Sequence, residues 1–85
     1  MIKNAMIRRK EAARGWGMCI SQTYVQEAKG LIPKFISIGS RAKAIPTREV
    51  DAVNAARIAG KSEDEIRDFV KQLMEQRKSI SVEAA

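Results

Sequence analysis

Residues 15–46, GWGMCISQTYVQEAKGLIPKFISIGSRAKAIP, decide how this chain folds. The stretch is punctuated by Gly15-Trp16-Gly17, Gly30, Pro33, Gly39 and Pro46, and each mark bounds an element. Between Gly17 and Gly30, the run Ile20–Lys29 reads as a helix. Its apolar positions Ile20, Tyr24, Val25 and Ala28 recur at helical spacing and predict a core-facing side. Ser21, Gln22, Gln26 and Lys29 then fall on the opposite, outward side. Pro33 rules out continuing that helix, because it lacks a backbone donor and fixes its own φ. From Lys34 to Pro46, apolar and polar residues alternate around Gly39-Ser40-Arg41, which reads as a β-hairpin with a short basic tip of Ser40, Arg41 and Lys43.

Working outward, the run MIRRKEAARG (Met6–Gly15) is rich in helix formers and predicts a first helix over about Arg8–Arg14, stopped at Gly15. Gly15-Trp16-Gly17 is then a turn between two helices, with Trp16 as a partly buried anchor. On the other side, Thr47 is placed to cap a third helix running to about Ala59, with Glu49 and Asp51 near its positive end. Ser62-Glu63-Asp64-Glu65 spells a capping box, and Ile66, Phe69, Val70, Leu73 and Met74 follow at i, i+3, i+4, i+7 and i+8, so a fourth helix runs to about Arg77. The expected fold is mainly α with a small β-hairpin: helix, turn, helix, hairpin, helix, helix. That is a winged helix-turn-helix plan with a C-terminal helix, over residues 6–77, between flexible termini at 1–5 and 78–85.

Composition narrows the function. The 85 residues make one domain with little room for a deep pocket. Histidine is absent, which removes Ser-His and Cys-His catalysis, and one cysteine with no imidazole lacks the usual ligands for zinc. No catalytic residue, metal site or cofactor is expected, and the protein reads as a non-enzyme. Cys19 reads as an inert small residue in a reducing compartment. No apolar run approaches the ~20 residues that span a bilayer. Met1–Lys10 has no apolar secretory core, so a cytoplasmic protein without membrane contact is expected. The formal net charge is +6 and it is uneven. Residues 1–45 hold nine Lys/Arg against two acids, whereas residues 46–85 hold seven against eight. A basic half of this kind suits a polyanion, with nucleic acid the first choice.

Gly17, Tyr24, Gly30, Pro33, Ile36, Ile38, Gly39, Arg41, Glu49 and Val50 stand at spacings that resemble the AlpA family of phage-type regulators, relatives of the MerR-like and excisionase-like winged-helix proteins. Two features depart from that family's habit. Cys19 and Ile20 stand where its second helix often opens with Ser/Arg, and Ile45 stands where an aromatic often follows the hairpin. The resemblance implies a bacterial, prophage or mobile-element protein that binds specific double-stranded DNA as a transcription regulator. The alternative it carries is a recombination directionality factor (excisionase) that bends DNA.

In that reading Ser21, Gln22, Gln26 and Lys29 belong to the recognition helix, the two glutamines offering amide pairs to adenine. Ser40, Arg41 and Lys43 form the wing, with Arg41 suited to a narrow minor groove. Arg8, Arg9, Lys10 and Arg14 contact phosphates. The fourth helix packs on the core or pairs with a second copy through Phe69, Leu73 and Met74. An RNA-binding or protein-interaction module is the remaining alternative, weakened for RNA by the few aromatics.

Overall fold

A computed structural model describes residues 5–79; the flexible termini expected at 1–5 and 78–85 lie mostly outside them. Strand β1 (Met6–Arg8) runs directly into helix α1 (Arg9–Trp16), followed by α2 (Ile20–Ala28), β2 (Ile36–Ser37), β3 (Lys43–Pro46), α3 (Thr47–Ile58) and α4 (Glu63–Gln76), with a final 3-10 turn at Arg77–Ser79. The protein is mainly helical, with one small antiparallel sheet.

The hairpin expected around Gly39 is present, with Ile36 opposite Ala44 and Ser37 opposite Lys43. The third strand was not expected. β1 pairs antiparallel with β3 in the register Met6–Pro46, Ile7–Ile45 and Arg8–Ala44, so the sheet order is β1-β3-β2. Arg8 is both the last residue of β1 and the extended residue before α1. Three residues leave no room for a period-2 pattern to show beside the helical run that follows.

Helix α1 does not stop at Gly15. It continues to Trp16, and Gly17 takes the left-handed conformation at φ 70°. Gly17 N–H donates to Arg14 O at 3.1 Å and Met18 N–H to Ala13 O at 3.0 Å, the two bonds of a Schellman closure. The same closure recurs at the ends of α2 and α3. Gly15 serves packing instead: a Cβ there would sit 3.0 Å from Val50 Cγ1, and its carbonyl accepts Asn54 Nδ2 at 2.8 Å. A side chain at this position would push α1 off α3.

The core gathers Trp16, Ile32, Phe35, Ile45, Val53 and Val70 from every layer. Trp16 meets Phe35 edge-on, with ring centroids 6.2 Å apart at 83°. Thr47 does not cap α3; Pro46 holds that position, and the Thr47 backbone N–H and hydroxyl both donate to Ala5 O. Glu49 was expected as an acid near the positive end of the third helix. It is 1% exposed, and its carboxylate accepts Arg77 Nε at 2.9 Å and Nη2 at 2.5 Å, while Nη2 also reaches Lys34 O. This ion pair ties the end of the fourth helix to the start of the third.

The capping box of α4 forms as expected: Glu65 N–H donates to Ser62 Oγ at 3.2 Å, and Ser62 N–H to Glu65 Oε1 at 3.0 Å. The stripe on α4 faces inward. Ile66, Val70 and Leu73 are buried, with Phe69 and Met74 packed half-buried beside them. Leu73, expected either in the core or as a contact to a second copy, is taken up by the core. No helix among the described residues is long and apolar enough to cross a membrane.

Two stability predictions follow from these contacts. Arg77→Ala leaves the Glu49 carboxylate buried without its partner, and urea unfolding should show a loss of about 3 kcal/mol; a change under 0.5 kcal/mol would refute the tie. The Glu65 carboxyl is held below its ordinary value, first by the Ser62 backbone N–H and then by the Ser62 hydroxyl. A depressed folded pKa contributes stability above the ordinary carboxylate range and loses it as pH falls through the lowered value. Ser62→Ala should thus make the acid-unfolding limb below about pH 4.3 shallower. In thermal melts at pH 7 it should cost ~1 kcal/mol as a lost helix cap.

Candidate nucleic-acid interface

The beginning of α1, one side of α2 and the hairpin enclose an open cleft of about 500 Å³. Its walls include Arg8, Arg9, Lys10, Tyr24, Arg41 and Lys43, with Ser37, Gly39, Ser40 and Ala42 completing the hairpin side. The hairpin tip is tied by Ile38 N–H to Ala42 O at 2.9 Å and by the Ser37 hydroxyl to Gly39 O at 3.1 Å, so Ser40 and Arg41 sit at a braced turn. Five cationic side chains thus meet across a gap flanked by strand, helix and hairpin.

These five are not equivalent. Arg9 Nη2 donates to Glu27 Oε1 at 2.7 Å and Nη1 to Thr23 Oγ1 at 3.0 Å. Its guanidinium carbon lies 3.9 Å from the ring centroids of both Tyr24 and Phe35. Arg9 was expected to contact phosphate; with 13% of its side chain exposed it instead holds the fold together. Arg8, Lys10, Arg41 and Lys43 are exposed, and no carboxylate of the described residues lies within ion-pair distance of them. Arg14 is exposed on α1 one turn beyond Lys10 but does not line the cleft.

Helix α2 is turned over relative to the expectation. Its inward residues are Thr23, fully buried, and Glu27, whose Oε2 also accepts Phe35 N–H at 3.1 Å. Ile20, Tyr24 and Val25, read from the sequence as core, are 44%, 58% and 43% exposed, and Ala28 is exposed too. Periodicity identified the helix correctly but assigned its faces by hydrophobicity, and the Arg9 contacts reverse that preference. The polar pair Thr23 and Glu27, four residues apart, was the available signal.

Of the expected recognition residues, Ser21, Gln22 and Lys29 are exposed, whereas Gln26 is half-buried. Gln26 Oε1 accepts Arg57 Nη2 at 3.2 Å. Gln22 and Gln26 line a separate hollow of about 280 Å³ with Met18, Leu31, Arg57, Glu63 and Ile66. At 100° per residue they lie roughly 160° around α2 from Tyr24, so the structure does not bring them to the cleft. Burial pushes the Arg57 guanidinium below its ordinary value. Cys19 is exposed before the first turn of α2; the Ser21 hydroxyl, 3.3 Å from its sulfur, holds the thiol below its ordinary 9.0. Among the described residues no three His, Cys, Asp or Glu side chains gather as a metal site.

The acids collect elsewhere. Glu63, Asp64, Glu65 and Asp68 follow one another along the first turns of α4, where Arg67 pairs with Glu63 and Asp64. Comparison with family models, curated proteins and solved structures gives no match.

The division among the cations is testable by unfolding. Arg9→Ala should destabilise the protein by about 2–3 kcal/mol, through the loss of a charge-assisted pair, a hydrogen bond and two ring contacts. Lys10→Ala should stay within about 0.5 kcal/mol of the parent. Equal effects would show that Arg9 is no more structural than its neighbour.

Proposed function

We propose that this protein binds specific double-stranded DNA as a transcription regulator of the prophage or mobile-element type. In this reading α1 and α2 form a helix-turn-helix, α2 enters the major groove, and the β2–β3 hairpin is the wing. The observation that carries it is the set of four exposed cations without carboxylate partners among the described residues, Arg8, Lys10, Arg41 and Lys43, around a cleft between the start of α1 and the hairpin with Tyr24 of α2 on its wall. The resemblance of Gly17, Tyr24, Gly30, Pro33, Gly39 and Arg41 to the AlpA pattern supports it.

Each element has a physical task. Arg8 and Lys10 neutralise phosphates and fix the register of the helix on the duplex, without reading sequence. Arg41, at the tip of the braced turn, reaches the adjacent minor groove, where a narrow groove concentrates negative potential. Lys43 follows the backbone beside it. Arg9 takes no part in contact: it fixes Tyr24 at the cleft wall.

Four cations docked on the duplex, three along the backbone and Arg41 in the groove, neutralise about four phosphate charges and imply a slope of log K against log [KCl] near −3.6, or about a 10²-fold loss of affinity between 50 and 200 mM salt. Fluorescence anisotropy on duplex fragments should show this slope, and Arg41→Ala should reduce it by about one and weaken binding about tenfold. A flat salt dependence, or an unchanged slope in the variant, would remove the proposed interface.

A further inference from the structure

The outward side of α2 carries no arginine for a bidentate contact to guanine, and its centre is apolar. Ile20, Ser21, Tyr24, Val25 and Ala28 occupy an arc of roughly 140° around α2 and all five are exposed; Val25 stands directly opposite Thr23 and Glu27, Ile20 lies beside Glu27, and the exposed Gln22 and Lys29 border the arc beyond Val25. This arc holds no amide, guanidinium or carboxylate. The nearby amide of Gln26 is engaged by Arg57. What the arc offers is methyl groups and two hydroxyls.

Nor is the arc isolated. Tyr24 belongs to it and also lines the basic cleft, so the apolar face and the cationic wall form one continuous surface. A surface with cations on one flank and methyl groups in the middle matches a polyanion that carries apolar groups between its charged rails. In the major groove, the one apolar group an unmodified base pair displays is the C5-methyl of thymine.

We propose that α2 selects its site by apolar contact with thymine methyls, Val25 and Ala28 supplying the contacts, with Ser21 as a permissive hydroxyl. This rests on the DNA-binding reading above and names the sequence class it recognises: A·T pairs under the helix, with no requirement for a guanine contacted by arginine. Tyr24, stacked on Arg9 and lining the cleft, stands at the junction between methyl reading and phosphate contact.

The test uses the full chain and a duplex selected from a random library at fixed KCl. Each thymine of the selected site is replaced in turn by deoxyuridine, which removes the methyl and leaves pairing intact. At a contacted position the affinity should fall about fourfold per methyl, as burial of one carbon predicts. Val25→Ala, a change at an exposed position, should abolish the deoxyuridine effect at one position while keeping the salt slope. If deoxyuridine changes nothing and the salt slope persists, methyl reading is overturned and DNA binding stands. If no duplex is bound at any salt, both fall. A free protein that sediments as a dimer and becomes a monomer on Val25→Asp would assign this face to a second copy and overturn the proposal.

Discussion

The carboxylate of Glu27 is the contact on which the arrangement of this protein turns. One oxygen takes the Arg9 guanidinium from the start of α1, and the other takes the Phe35 backbone N–H just before the hairpin. A single side chain on α2 therefore fixes both neighbours of the cleft. Arg9 passes the constraint on, since its guanidinium is clamped between Tyr24 and Phe35, and Phe35 meets Trp16 in the core. Bonds to charged groups are shorter and stronger than neutral ones, and partial burial reduces their competition with water. The hairpin, the helix and the hydrophobic core are held to one another through this polar chain rather than through apolar packing alone.

The net charge hides a division of labour. Arg9, Arg57, Arg67 and Arg77 each donate to side chains or carbonyls within the protein. Planar guanidinium groups suit this work, because they make several directed bonds and tolerate partial burial better than an ammonium. Four exposed cations stand instead at the cleft, where β1 and the hairpin bring Arg8 and Lys43 to one lining although 35 residues separate them. Since β3 is paired on both sides, the hairpin base has no free edge on its inner strand. A braced base permits a tip of a few residues to project Arg41 without a long, mobile loop.

Much of the fold was legible because its signals are local. The Ser62–Glu65 capping box, the α4 stripe and the hairpin around Gly39 each depend on residues within one or two turns of each other, and each formed as read. What stayed hidden depends on distant partners. Strand β1 is defined by a strand some 38 residues away, and Glu49 by Arg77, 28 residues on. The site was half legible: the basic hairpin and the cations at 8, 10, 41 and 43 were found, but the role of Arg9 and the face of α2 were not. Hydrophobic periodicity ranks faces by transfer energy, and it has no way to weigh an arginine from another helix that makes the polar face the inner one.

That reversal has an energetic logic. Turning Thr23 and Glu27 inward is costly for a small domain unless every polar atom is met, and here Arg9, the Ile20 carbonyl and the Phe35 N–H meet them. Leaving Ile20, Tyr24 and Val25 outward adds nothing to stability that burial would not have given in greater measure. A sequence under pressure for stability alone would rotate α2 by half a turn and remove both features. The polar lock and the exposed apolar face are therefore two sides of one arrangement. The lock makes the apolar side available, and it fixes that side beside the cleft where the exposed Arg8, Lys10, Arg41 and Lys43 stand. Substitutions at the inward positions of α2 consequently act on the orientation of its outer face as well as on folding.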